Sequence, residues 1–251
     1  MVSIENLTAY CGKKKILNNL SLETAKGEIV CIVGESGCGK STLLNIITGL
    51  FLPLYTVHFN TFTIRSKKYT QSTVKNLFSD HIAKTGYASQ KTTESFDSTK
   101  KIREHFLINR DNDWDNISSI FSELGIHNIP EVIERYPFEC SIGMLQRINI
   151  CLSLYQSPDL IILDEITTGI DPINQFGLLF LLLKILRKQN ITCIITTHDL
   201  RIAKLIADKV YVMHSGTFVE SGKTEDVFLH PSHMYTKQLV NAYNKLHMLS
   251  I

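Results

Sequence analysis

The sequence has no C-x-x-C pair: its six cysteines, Cys11, Cys31, Cys38, Cys140, Cys151 and Cys193, are scattered along the chain. That spacing argues against a zinc site and against a disulfide framework, and predicts small core residues instead. A surplus of one charge is also missing. With 26 Lys and Arg against 24 Asp and Glu, the formal net charge is +2, too small a field to advertise nucleic acid or acidic lipid as a partner. The basic clusters at 13–15 and 100–101 are short and read as solvated faces. Long apolar runs are missing as well. The longest, FGLLFLLLKIL at 176–186, carries Lys184 and is too short to span a bilayer, so it reads as a buried helix or a packing surface. The opening MVSIENLTAY has no basic leader before an apolar stretch, so no signal peptide is expected and the chain should stay in the cytosol. Neither an internal repeat nor a low-complexity linker divides it.

What is present is a chain of 251 residues, 44% hydrophobic and 20% charged, the profile of one globular unit with a substantial core and room for a subdomain. Short runs rich in Ile and Val recur between turn residues: GEIVCIVG at 27–34, LIILDE at 160–165, TCIITTHD at 192–199 and KVYVMHSG at 209–216. Apolar residues on consecutive positions suit strands buried on both faces. Helical patterns lie between them: KSTLLNIITGL follows the first run, and 176–187 precedes the third. Strand followed by helix, repeatedly, predicts an α/β fold with a mostly parallel sheet. From about residue 90 to 157 no such strand occurs, which predicts an inserted α-helical subdomain.

GESGCGKST at 34–42 matches G-x-x-x-x-G-K-[ST], directly after one predicted strand and directly before a predicted helix. Gly34, Gly37 and Gly39 let the backbone wrap a β-phosphate, so that consecutive N–H groups and the helix amino terminus face the anion. The Lys40 ammonium then reaches the β and γ oxygens, Ser41 ligates Mg²⁺, and Thr42 adds a phosphate contact. Glu35, Ser36 and Cys38 complete this candidate nucleotide loop. The bland alternative is a glycine-rich turn with a surface lysine. LIILDE delivers Asp164 and Glu165 to the carboxyl end of a strand, where ligands of open parallel sheets sit. Asp164 would hold the magnesium through water and Glu165 would polarise the attacking water, with a solvated acidic turn as the rival. His198 ends another such strand, placed to contact the γ-phosphate, although a lone histidine is usually structural.

At this point the sequence resembles the ATP-binding cassette (ABC) family over nearly its whole length. The Walker A motif is 34–42, Walker B is 160–165, and Gln90 in GYASQ stands at the Q-loop. Asp171 in TTGID stands at the D-loop, and His198 at the switch histidine. The resemblance implies a P-loop NTPase fold, with a mostly parallel sheet core, an N-terminal antiparallel β part and an inserted α-helical subdomain. It implies a nucleotide-binding core at 1–90 and 158–220, a signature subdomain at 91–157 and a tail at 221–251. It implies ATP and Mg²⁺ as cofactors, with Ser41, Gln90 and Asp164 toward the metal and Glu165, His198 and Gln90 in catalysis. Tyr10 takes the place of the aromatic that stacks on adenine, with a core tyrosine as its rival. CSIGMLQR at 140–147 falls where the family has Leu-Ser-Gly-Gly-Gln and a basic residue. Ser141, Ile142, Gly143 and Met144 would therefore act on the ATP of a partner subunit packed head to tail. Ser141 and Gly143 keep the γ-phosphate contacts, and a helix beginning there adds its positive dipole end. Ile142 replaces a glycine, so close approach and any positive φ become costly there. That predicts a weakened signature, with a dead one as the alternative.

A narrower resemblance points to the peptide and nickel importer ATPases. Gln90 is followed by SFDSTKKI at 95–102, similar to that group's Ser-Leu/Phe-Asn-Pro-x-x-x-Ile. EDVFLHPSHMYTKQLV at 225–240 resembles its Ile-Phe-x-x-Pro-x-His-Pro-Tyr-Thr-x-x-Leu, with Met234 in place of a proline. The chain lacks the long cysteine-bearing tail of many peptide-transporting members, which leans toward nickel or metal chelates. The resemblance implies a second ABC ATPase subunit, a heterodimer being favoured, and transmembrane permease subunits. It implies a solute-binding protein at one remove, and a peripheral place on the cytoplasmic face of the membrane. His230 and His233 tempt a metal-binding reading, but an ATPase subunit does not normally see the cargo. Three rivals stay open. A soluble ABC protein of nucleic acid or ribosomes would carry two cassettes or a long coiled-coil insertion. A GTPase would need Asn-Lys-x-Asp, whereas the only Asn-Lys, at 244, continues with Leu246-His247. The third is a non-hydrolysing, ATP-binding scaffold.

Overall fold

In the computed structural model the described residues are 1–50, 55–81, 84–106, 114–167, 169 and 171–248. The last three residues of the tail expected at 221–251 thus lie outside them. Internal contacts divide the chain into two units, Met1–Ile82 with Thr192–Ile251, and Ala83–Ile191.

The first unit opens with an antiparallel pair, β1 (Val2–Cys11) and β2 (Lys14–Thr24). Val2, Ile4, Leu7 and Ala9 from β1 and Leu17, Leu20 and Leu22 from β2 are buried between polar neighbours, the alternation of a sheet with one wet face. β3 (Ile29–Val33) is buried at every position and leads through a glycine-rich loop into α1 (Lys40–Thr48). β4 (Tyr55–His58), β5 (Thr61–Ile64) and β6 (Lys67–Tyr69) then complete the antiparallel sheet, in the order β2-β1-β5-β6 with β4 also on β1. α2 (Leu77–His81) packs on α1, where Phe78 comes so close to Gly49 that a Cβ there would meet its amide nitrogen at 2.5 Å.

The second unit holds two parallel strands, β7 (Thr85–Ala88) and β8 (Leu160–Asp164), joined through a helical stretch. That stretch holds α3 (Ile102–His105), α4 (Trp114–Glu123), α5 (Ile129–Val132) and α6 (Ile142–Leu154), and α7 (Pro172–Gln189) follows β8. Between 90 and 157 the described residues contain no strand, as the sequence predicted. α6 packs on β7, so close that a Cβ on Gly86 would lie 2.1 Å from the Ser153 carbonyl. α7 buries Leu178, Leu179, Leu182, Ile185 and Leu186. It leaves Lys184 exposed and Phe180 67% exposed, so the long apolar run is a one-sided helix.

The chain returns to the first unit with β9 (Thr192–Thr197), α8 (Leu200–Ile206), β10 (Lys209–His214), β11 (Thr217–Lys223), α9 (Thr224–Leu229) and α10 (Met234–Met248). β10, β3 and β9 are parallel and β11 closes the edge antiparallel. All four apolar runs are therefore strands, and both helical patterns beside them are α1 and α7. No helix among the described residues is long and apolar enough to cross a membrane.

Candidate nucleotide-binding site

The loop at 34–39 is shaped by its glycines. A Cβ on Gly34 would stand 2.2 Å from the Met213 carbonyl oxygen, and one on Gly39, at φ +111°, would stand 2.8 Å from the Leu17 side chain. Gly37 is also left-handed, at φ +80°, a conformation that glycine alone adopts freely. Gly39 leads directly into α1, and Leu43 N–H donates to the Gly39 carbonyl at 3.0 Å. Lys40 is only 4% exposed, and its ammonium donates to the carbonyls of Gly34 at 2.8 Å and Glu35 at 3.0 Å. Glu35, Ser36, Gly37 and Ser41 are exposed and Thr42 half-buried. Cys38 is buried, and its thiol is pushed up by that burial, with the Lys40 charge pulling the other way. A loop with no room for a side chain at Gly34 and Gly39, a helix amino terminus and a lysine fit the phosphates of a nucleotide.

In the second unit β8 is buried throughout and carries Asp164, 4% exposed, at its last position. Burial, with the Asp164 charge adding to it, pushes the neighbouring Tyr87 phenol up to about 12. Glu165 follows with φ +45°, a left-handed conformation rare for glutamate. The amide of Gln90, just past β7, donates to the Glu165 carboxylate at 3.2 Å. The oxygen donors of Ser41, Gln90 and Asp164 are of the kind Mg²⁺ takes.

Ser141 caps α6: its Oγ accepts from Met144 N–H at 3.2 Å. Ile142 is the first residue of that helix, with no positive φ and with its side chain 54% exposed. The backbone cost that the sequence suggested at 142 therefore does not arise, and only side-chain bulk distinguishes it from glycine. A Cβ on Gly143 would meet nothing within 4 Å. Ser141, Gly143, Met144, Arg147 and Asp171 line one cleft of about 520 Å³. Asp171 caps α7, accepting from Asn174 N–H at 3.1 Å and from its amide at 2.6 Å, bonds that hold its carboxyl below the usual range.

Elsewhere in the first unit, His198 is exposed just past the carboxyl end of β9. Tyr10 is half-buried on β1, with the Lys15 ammonium 5.7 Å from its ring centre and His58 edge-on at 6.2 Å. Two residues near these sites were given no role from the sequence, Arg147 standing only as the basic residue that ends the signature stretch. Arg147 lines the cleft and donates to the Leu124 carbonyl. Met213, whose carbonyl bounds the loop at Gly34, carries no sequence signal beyond its place at the end of a strand.

Residues 17–168 match the profile of the ABC transporter family. The probable D,D-dipeptide transport ATP-binding protein DdpD of Escherichia coli (strain K12) is 36% identical over 237 residues, spanning 90% of this chain and 72% of that protein. The nickel import ATP-binding protein NikD of Brucella abortus biovar 1 (strain 9-941) is 29% identical over 261 residues, spanning 100% and 97%. Among solved structures, a dimeric post-hydrolysis state of the ATP-binding cassette MJ0796 bound to ADP and Pi shares the fold. Its TM-score is 0.73 at 22% identity, covering 89% of this chain and 99% of that one. The chain belongs to the ABC transporter family, as an ATP-binding cassette ATPase of the group that contains the peptide and nickel transport subunits.

Proposed function

We propose that this chain is the ATP-hydrolysing subunit of an importer of peptides or of nickel and other metal chelates. It works on the cytoplasmic face of the membrane with permease subunits and, indirectly, a solute-binding protein. The observation that carries the reading is Lys40, buried against a loop whose Gly34 and Gly39 leave no space for a side chain. Residues 34–42 hold the phosphates of ATP, with Lys40 on the β and γ oxygens, and Tyr10 stacks on the adenine. Ser41, Asp164 and Gln90 hold Mg²⁺, which supplies charge neutralisation at the phosphates. Glu165 polarises the attacking water, Gln90 orients that carboxylate, and His198 contacts the γ-phosphate. Ser141 and Gly143 serve the ATP of a partner through a hydroxyl and a helix amino terminus, and Asp171 fixes the start of α7 beside them.

The partner is a second, different ABC ATPase, and the two sites are unequal: the one built on Lys40 and Glu165 turns over faster than the one that uses Ser141 and Ile142. The test is Mg²⁺-dependent ATP hydrolysis by the purified chain, alone and mixed with candidate partner ATPases, beside a Glu165→Gln variant scored for ATP-induced dimers. Hydrolysis that needs the partner and vanishes in the variant is expected. Equal turnover at both sites, found by inactivating one Walker lysine at a time, would overturn the asymmetry. Transport assays with a dipeptide and with chelated nickel separate the two cargo classes.

A further inference from the structure

Outside the residues assigned above, the first unit brings its tail onto the phosphate loop. The Glu220 carboxylate on β11 gathers the start of that tail. It accepts from Ser232 N–H at 2.7 Å, from the Ser232 hydroxyl at 2.9 Å and from His233 N–H at 3.0 Å. His233 Nδ1 accepts in turn from Tyr235 N–H at 3.2 Å, in the first turn of α10. These bonds fix the direction of the Tyr235 side chain, which is 8% exposed and lies with its ring 4.1 Å from that of His214.

His214 sits between two residues that touch the loop. Met213 presents its carbonyl to Gly34, and Gly216 N–H donates to the Cys38 carbonyl at 3.0 Å. Burial raises the Tyr235 phenol above its usual value; the Glu35 main-chain N–H, which pulls it back, and the Glu35 carboxylate, which pushes it further up, act on the same hydroxyl. It nevertheless makes no hydrogen bond of good geometry. The peptide that bears the Glu35 N–H also carries the Gly34 carbonyl, which together with the Glu35 carbonyl holds the Lys40 ammonium.

We propose that Tyr235 is a positioning residue for ATP, acting through Glu35 to set the two loop carbonyls that aim Lys40, with Glu220 as the anchor that holds Tyr235 there. The proposal rests on the reading of 34–42 as the ATP site. A buried hydroxyl without a partner is satisfied by a small movement of the Glu35 peptide. The bond therefore forms as the loop tightens on a phosphate and favours the loaded state.

The experiment measures the affinity of the full chain for a fluorescent ATP analogue together with its thermal unfolding midpoint. Tyr235→Phe keeps the ring on His214 and removes the hydroxyl. It is expected to raise Kd roughly three- to tenfold, the equivalent of one hydrogen bond, at an unchanged unfolding midpoint. Glu220→Gln is expected to raise Kd in the same direction. Where hydrolysis is measurable, KM follows Kd while kcat stays within about twofold. Parent-like affinity in Tyr235→Phe overturns the proposal, and so does a loss of affinity that appears only with a fallen unfolding midpoint. Lys40→Ala separates the two readings. If it is silent while Tyr235→Phe binds like the parent, the positioning role falls and the site stands. If Lys40→Ala binds like the parent, the site itself falls.

Discussion

At the residue scale the first glycine of the phosphate loop and the glycine of the signature stretch behave in opposite ways, and that difference is measurable. Gly34 has the Met213 carbonyl 2.2 Å from the place of a Cβ, whereas Gly143 has nothing within 4 Å. Gly34→Ala is therefore expected to lower the unfolding midpoint and abolish binding of a fluorescent ATP analogue. Gly143→Ala should fold and bind ATP as the parent does, so that any loss of hydrolysis in the presence of a partner reports the partner's nucleotide. The glycines, Lys40 and the Asp164-Glu165 pair were legible in the sequence because phosphate and metal chemistry permits few substitutes at fixed spacing. The left-handed conformation of Glu165 and the ordinary helical one of Ile142 were not. Both depend on how a strand end and a helix start are held by their surroundings, and neither residue type announces it.

At the scale of elements, strands buried on both faces and helices beside them stood out as consecutive apolar runs, and β3, β8, β9 and β10 lie where those runs are. β1 and β2 alternate in burial and were expected only by resemblance; β7 hides a glycine needed by α6, and β11 lies on an edge. Such elements are specified by what they pack against, so their own composition is weak evidence. The link between β11 and α10 has a pH signature. Burial works against ionised Glu220, but the Thr236 hydroxyl beside it and the N–H groups of Ser232 and His233 prevail, holding its carboxyl below the usual value. A folded-state pKa below the unfolded one gives stability that is full above the ordinary glutamate range and is lost as pH falls through the folded value. Urea unfolding from neutral pH down to about pH 4 should therefore show a steeper loss of stability in the parent than in Glu220→Gln. Parallel curves would remove Glu220 as the source.

At the scale of the whole molecule, a ligand that binds only the folded chain must raise its stability by mass action. ATP at about a hundred times its Kd is expected to add about 2.7 kcal/mol. That shift in the unfolding midpoint should be absent in Lys40→Ala, and calorimetry with and without ATP checks it. Least legible of all was the contact between the tail and the phosphate loop, because nothing in the local pattern at 231–236 names a partner two hundred residues away. Motif reading finds residues that act together when they are close in the chain, and tertiary contacts of this span escape it. One buried side chain also makes that loop observable. Cys38 lies sealed in the phosphate loop with a thiol that burial keeps protonated, while Cys11 and Cys140 are half-buried elsewhere. In a chain with those two changed to serine, alkylation of Cys38 becomes a native stopwatch: each labelling event counts an opening of the loop, and saturating nucleotide should slow the clock.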